Sequence, residues 1–320
     1  MYPWHATFHM GIVHFMAYPQ VKTEDEILKS VHKILNDDFF QAIEVNMLYE
    51  DNILEKISAL CETADVEFLL GAQPFLLSKK INLNAGNDEE RHQAIQLCKM
   101  QIERSYRCRA RALTFLSGQY DFTEKKDELK QNLIHSLREL CRYSQEIGNT
   151  AGYQLGIDLE IFDHTVDKKV LIGPAPDAFD IAKSVKADYP AFSLTIDLSH
   201  LPLTFEDPYY VLKLLAPFIG HVHIGNGILE KKNPFYGDHH PRFGIAGGCN
   251  DYQEVAYFMI ALEKIDYFNQ RVMTKKPVIS FEVKPLPHED SDLVVANSKR
   301  KFLAALDKAH IDYKELGYKL

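Results

Sequence analysis

Short apolar runs rich in β-branched and aromatic residues alternate eight times with longer stretches of helical period along this chain, and no other feature narrows its fold as far. The runs fall at residues 8–16, 42–46, 67–72, 112–116, 154–162, 193–198, 221–224 and 278–283. Helical period follows each: one helix opens at Thr23-Glu24-Asp25-Glu26, and others are expected near 51–63, 88–107, 124–146, 175–186, 207–215, 251–264 and 292–309. The first opening has a hydroxyl cap followed by acids, which suits a helix start. The runs are too apolar for strands with one wet face. They predict parallel strands covered on both sides, hence an α/β chain. Eight repeats predict a closed (β/α)8 TIM barrel with outer helices, in which loops after the strands carry function. The competitor is an open doubly wound sheet. No GxGxxG follows the first run, which weakens its dinucleotide-binding version.

A chain of 320 residues without a low-complexity tract or composition shift reads as one barrel domain over 1–320. The net charge of −9 argues against a nucleic-acid partner, which needs Lys and Arg concentrated on one surface. Five cysteines without CxxC spacing fit a reducing compartment. The first 14 residues lack a basic start and are broken by His5, His9 and His14, so they do not read as a secretory leader. No apolar run reaches the ~18 residues of a membrane helix. A soluble, cytoplasmic protein with no membrane partner is expected.

The last four runs end alike. They close on Asp158-Leu159-Glu160, Asp197-Leu198-Ser199-His200, His221-Val222-His223-Ile224-Gly225 and Ser280-Phe281-Glu282. A charged group ending a barrel strand lies at the mouth, where groups from several strands converge. Glu160, Asp197, His223 and Glu282 would bring three carboxylates and one imidazole together. Without a cation the carboxylates would repel. One divalent ion resolves that conflict, and mixed oxygen and nitrogen donors suit Mn, Mg, Co or Zn. A single acid at a strand end is commonly a cap, and His221 or His223 alone could be a core histidine. Four consecutive strands ending this way argue against both readings. His200 lies three residues beyond Asp197, and the long loop after the seventh run carries Asp238, His240 and Arg242. His200, Asp238 and His240 could hold a second ion or touch substrate hydroxyls, and Arg242 is a fork-like donor for a substrate oxygen. Trp4, Phe8, Phe75, Phe162, Phe235 and Phe243 are candidates for a sugar-facing wall, two or three of them in contact.

These strand-end motifs resemble the xylose-isomerase-like barrel superfamily, which holds ketose 3-epimerases, inosose dehydratases and isomerases, and apurinic-site endonucleases. The resemblance implies Glu160, Asp197, His223 and Glu282 as metal ligands. It further implies Glu160 and Glu282 as the proton-moving catalytic pair, with His200 and an Arg after strand seven holding substrate. The endonuclease branch carries Asp-x-His after strand seven, like Asp238-His239-His240, but needs histidines where this chain has Gln73 and Leu116. Gln73 is instead expected among the substrate-binding groups. The loop 226–248 is longer than in the epimerases and lacks their Glu-x-x-Arg pattern. The implied function is metal-dependent isomerisation or epimerisation of a ketose, aldose or polyol-derived small molecule through an enediolate. Alternatives are a dehydratase or lyase, a phosphodiester hydrolase, and a non-catalytic sugar-binding barrel. Assembly as a homodimer or homotetramer is compatible with the family.

Overall fold

Each predicted apolar run becomes a strand, and each strand pairs in parallel with its sequence neighbours. A computed structural model describes residues 4–315. Its strands are β1 (His9–Val13), β2 (Ala42–Asn46), β3 (Glu67–Gly71), β4 (Ala112–Leu116), β5 (Gly156–Glu160), β6 (Phe192–Asp197), β7 (Ile219–Gly225) and β8 (Val278–Glu282). β8 also pairs with β1, so the barrel closes in sequence order. The helices are α1 (His14–Ala17), α2 (Glu24–Leu35), α3 (Asp51–Ala64), α4 (Gln73–Lys79), α5 (Asp88–Arg107), α6 (Lys126–Ala151), α7 (Ala175–Lys186), α8 (His200–Thr204), α9 (Pro208–Leu215), α10 (Tyr252–Lys264) and α11 (Ser291–Glu315). Thr23 caps α2 in a capping box with Glu26, as the Thr-Glu-Asp-Glu run predicts. No helix among the described residues is long and apolar enough to cross a membrane.

Strand residues alternate between two environments. Outward positions such as Ile43, Phe115, Leu159, Ile196, Val222 and Phe281 are buried against the helices in one continuous apolar cluster. Inward positions differ. A small apolar group of Ala42, Leu69, Ala112 and Val278 packs apart from the main cluster. Around and above it stand buried polar side chains: Glu44, Thr114, Asp158, Ser193, Thr195, His221 and Ser280. The main core therefore lies between barrel and helices, and a polar column runs through the barrel toward the mouth.

Three local features depart from the sequence reading. The first run ends as a strand at Val13, and His14–Ala17 turn into α1. The buried His14 ring explains the turn: Nε2 lies 2.8 Å from Ser30 Oγ and Nδ1 3.3 Å from the Tyr49 hydroxyl. The polar stretch after β3 contains α4, whose Pro74 sits in the first turn, where no amide hydrogen is needed. α8 follows β6 directly, with Pro202 tolerated in its opening turn for the same reason. Two aromatic expectations also change. Trp4 and Phe8 precede β1, at the end opposite the mouth, and both meet Phe302 edge-on in the core. They do not line a mouth-side wall.

Candidate functional site

The strand-end ligands meet because of register. Thr195 pairs with His221 and Asp197 with His223, whereas Leu194 pairs with Ile219. One extra residue, Gly220, is thus accommodated in β7 as a bulge, which turns both histidines inward. His223 pairs onward with Ser280, and Gly225 with Glu282. Glu160 ends β5 beside Thr195. Ligand atoms of Glu160, Asp197, His223 and Glu282 all lie within 4.8 Å of one another, and all four residues are buried.

The contacts within this group are close without being hydrogen bonds. His223 Nδ1 lies 2.8 Å from Glu282 Oε2 and 3.4 Å from Glu160 Oε1. Yet all three atoms are buried and lack a hydrogen-bond partner. Their mutual spacing is that of donors around a cation. Glu160 and Asp197 are anchored by their other contacts. Glu160 Oε2 accepts a 2.6 Å bond from the Gln73 amide. The Ser199 amide and hydroxyl donate to Asp197 Oδ1 and Oδ2 at 2.8 and 2.5 Å. A buried group left unsatisfied in a native fold costs about 1–3 kcal/mol. Three at one point therefore fit a site completed by a divalent ion.

A second cluster abuts the first. Asp238 Oδ1 lies 2.9 Å from His240 Nε2 and 3.3 Å from His200 Nε2. Asp238 Oδ1 and His200 Nε2 again lack hydrogen-bond partners. Asp197, His200 and His240 form a second set with ligand spacing. Both histidines face their Nδ1 atoms toward main-chain carbonyls, His200 to Ile161 at 2.8 Å and His240 to Glu282 at 3.2 Å. A donated Nδ1–H turns each Nε2 toward Asp238, where it can hold a proton or, once that proton leaves, a cation.

Local structure presets this second cluster. His240 sits in the left-handed region at φ 50, a strained backbone that surrounding contacts must hold. The Lys284 amide donates to the His240 carbonyl at 2.6 Å, and the Asn250 amide ties the neighbouring strand ends together through the carbonyls of Leu198 and Gly225. Gly225 is required for close approach: a Cβ there would stand 2.7 Å from the Glu282 carbonyl and 2.9 Å from His240 Nδ1. From the other side, the Asp163 carboxylate accepts the amides of Val166, Asp167 and Lys168. That fold-back brings Lys168 Nζ to 3.2 Å from Asp238 Oδ2.

The electrostatics follow the crowding. Burial raises Glu44 and Asp197 above the usual carboxylate range. Burial opposes charge on His223, yet Glu44 and Glu282 outweigh it and raise its pKa well above normal. For His240 burial is likewise outweighed, chiefly by Asp238, and its pKa rises to about 9. Asp238 stands well below normal, because His240, His200 and Lys168 overcome its burial. The site is a dense field of negative charge matched by whatever cations are at hand.

Of the residues singled out in the sequence, Glu160, Asp197, His200, His223, Asp238, His240 and Glu282 meet in one place. Gln73 also reaches it, through Glu160. Arg242 does not: its Nε donates to Glu289 Oε1 at 2.8 Å. Phe162 lies against the His200 ring, with centroids 4.3 Å apart, whereas Phe243 is buried beside Phe281. His221 behaves as a core histidine, with Nε2 2.9 Å from Ser280 Oγ. Two participants were missed. Lys168 lies in the loop after β5, outside every strand-end motif, and Glu44 lies in the middle of β2, two residues short of the strand end. An inward-facing acid inside an otherwise apolar run was the available signal for Glu44.

The model of the xylose isomerase-like TIM barrel family matches residues 36–273. No curated protein matches the chain in sequence. Among solved structures, L-ribulose 3-epimerase superposes with a TM-score of 0.72 at 14% identity, covering 98% of this chain and 99% of that one. D-psicose 3-epimerase from Clostridium cellulolyticum H10 gives 0.63 at 17% identity, with 95% and 99% covered. The 3-keto-D-glucoside 4-epimerase from E. coli gives 0.63 at 13% identity, with 92% and 98% covered. The family match spans most of the barrel, from the approach to β2 to the approach to β8. This chain belongs to the xylose isomerase-like TIM barrel family.

Proposed function

We propose that the protein is a divalent-metal-dependent sugar isomerase or epimerase acting on a ketose, aldose or polyol-derived substrate. One observation carries the reading: partnerless ligand atoms of Glu160, His223 and Glu282 converge, beside Asp197, at the mouth of a barrel. The sugar epimerases among its structural neighbours support the reaction class. An ion held by these four residues would polarise a substrate carbonyl and make loss of the neighbouring carbon proton easier. Glu160 and Glu282 then serve as the pair that takes and returns that proton. Their surroundings differ. Glu160 is fully enclosed and has one oxygen held by Gln73, whereas Glu282 is slightly exposed at the mouth. His200, Asp238 and His240 orient the substrate's remaining hydroxyls or hold a second ion, and Phe162 walls that side.

The same proton abstraction could end in elimination, giving a dehydratase or lyase. Phosphodiester hydrolysis is disfavoured by the third-metal position of the endonuclease branch, where Gln73 donates to Glu160 and Leu116 is apolar and buried. Five unpaired cysteines, four of them buried, fit a reducing cytoplasmic setting, and we read the chain as one domain. Elemental analysis of wild type and Glu282→Ala protein, followed by a ketose and aldose panel, tests the reading. About one bound ion per chain, lost in the variant, with products of unchanged mass, is the expected result. A product lighter by water or an aglycone moves the assignment to a lyase. Absence of any bound ion after loading with Mn, Co, Mg or Zn refutes the metal reading.

A further inference from the structure

Glu44 is the one fully buried carboxylate at the centre of this site that the proposed reaction does not use. It projects inward from β2, its Oε2 3.0 Å from His223 Nε2. The opposite ring nitrogen, Nδ1, is the atom that faces Glu160 and Glu282 without a partner. An imidazole can present only one lone pair, on the nitrogen that does not carry the proton. A proton on Nε2, donated to Glu44, leaves Nδ1 free to ligate; a proton on Nδ1 would disable the ligand. His200 and His240 show the reverse arrangement, each directing Nδ1 to a main-chain carbonyl and presenting Nε2. His223 stands inside β7 at the mouth, paired with β6 and β8 on either side, and a side chain does this work in place of a main-chain carbonyl.

We propose that Glu44 is a positioning residue that fixes the His223 tautomer and ring orientation, so that the ion is bound through Nδ1. This inference rests on the metal reading above. The surroundings hold Glu44 in place. Its Oε1 faces Gly71, where an added Cβ would stand 2.7 Å from that oxygen. A side chain at position 71 would displace that oxygen, and Gln73 Oε1 at the same distance; Oε1 has no hydrogen-bond partner of its own, so Glu44 is fixed through Oε2 and His223. His221 crosses His223 nearly edge-on, with centroids 4.6 Å apart, and its own Nε2 is taken up by Ser280. It therefore limits tilting of the His223 ring without competing for Glu44 through Nε2.

The test compares wild type, Glu44→Gln and Glu44→Leu, each stripped of metal and checked for fold by circular dichroism. Mn²⁺ affinity is measured by competition with a fluorescent chelator. The ligating nitrogen of His223 is identified in Zn²⁺-loaded, ¹⁵N-histidine-labelled protein from long-range ¹H–¹⁵N spectra. Carboxylates behind metal-bound histidines typically contribute about 10- to 100-fold in metal affinity. Glu44→Leu is expected to weaken Mn²⁺ binding by about that factor. Glu44→Gln, which keeps an acceptor of the same shape, should fall between the two. Wild type should show Zn²⁺ on Nδ1, and sugar KM at saturating metal should stay unchanged in Glu44→Gln. Wild-type affinity in both variants, or ligation through Nε2 in wild type, overturns this inference alone. A folded wild type that binds no ion overturns the metal reading and this inference with it. If Glu44→Leu does not fold, Glu44→Gln carries the test, with unchanged Mn²⁺ affinity again refuting it.

Discussion

Replacing Asp197 with asparagine should raise the melting temperature of the metal-free protein while removing most of its response to metal. The carboxylate is buried, and burial already raises its pKa, so its charged form is disfavoured without a cation. Its ligand atom lies within 4.8 Å of those of Glu160 and Glu282. At an effective dielectric near 20, two such charges repel by about 3 kcal/mol. His200 Nε2 and His240 Nδ1, each 3.7 Å from Asp197 Oδ2, cancel part of this. Relief of roughly 1–3 kcal/mol remains. Unfolding entropy near 2.1 cal/mol/K per residue makes 1 kcal/mol worth about 1.5 °C in a chain this long. Metal-free Asp197→Asn should therefore melt roughly 2–4 °C above wild type. At about 1,000 times the dissociation constant, a bound ion adds about 4 kcal/mol, or about 6 °C, to wild type. A 100-fold weaker site at the same concentration would gain only about 2 °C. Differential scanning calorimetry at neutral pH, with chelator and then with Mn²⁺, reads both effects. A metal-free variant melting several degrees below wild type would show that the carboxylate stabilises the empty site, contrary to the crowding argument. Equal metal shifts in the two proteins would remove Asp197 from the ligand set.

Other perturbations probe the supports. Asn250→Ala strips donors from the buried carbonyls of Leu198 and Gly225, which should cost about 1–3 kcal/mol in chemical denaturation. It should also loosen His240, visible as weaker Zn²⁺ binding. Gln73→Leu removes the donor to Glu160 Oε2; if Glu160 moves the proton as proposed, turnover should fall with little change in sugar KM, whereas a matching rise in KM would make Gln73 a sugar contact. His14 offers a pH test. Burial lowers its pKa from 6.5 to about 4, so the unfolded chain takes up a proton in this window before the folded one does. Stability should drop by roughly 3 kcal/mol as pH falls from 6.5 to 4. In His14→Phe, urea melts across that range should lose this component of the slope.

The barrel and its mouth were legible for one physical reason and obscured for another. Eight apolar runs and their helices follow from burial on both faces of parallel strands, and a charged residue that ends such a run can go only to the mouth. That logic finds Glu160, Asp197, His223 and Glu282 without a contact map. It fails wherever side-chain direction beyond the strand decides. Arg242 stands in the right loop but pairs with Glu289, and Gln73 was read as a substrate contact although its amide donates to Glu160. Trp4 and Phe8 were placed near the mouth, whereas the chain enters the barrel from the opposite end. α4 and α8 were invisible because proline reads as a breaker until its place in the first turn is known.

Glu44 was missed for a more instructive reason. Inward residues were expected to fill the barrel with apolar side chains, so an acid inside a short strand looked like noise in an apolar run. The structure places the continuous apolar core outside the strands and leaves the interior, around a small apolar group of Ala42, Leu69, Ala112 and Val278, to Glu44, Asp158, Thr195, His221 and Ser280. Buried polar groups cost free energy unless each finds a partner. Most of these do: His221 with Ser280, Ser193 with Asp158, and Glu44 with His223. Buried atoms without a hydrogen-bond partner occur at His9, His164, Asn297 and His310, away from the ligands, but most belong to the mouth: Glu160, His223 and Glu282, Asp238 and His200, with Glu44 Oε1, Gln73 Oε1 and Thr195 Oγ1 beside them. Within the barrel, unpaired atoms are therefore densest where two clusters of donors converge, and the paired groups beneath them, His221 with Ser280 and Ser193 with Asp158, support those donors. On this reading the interior should tolerate apolar replacement low in the barrel better than near Glu44. Ser193→Ala, paired only with Asp158, should leave metal affinity unchanged while Glu44→Leu lowers it. Equal losses of affinity in the two variants would mean that the column acts as one unit instead of a graded support.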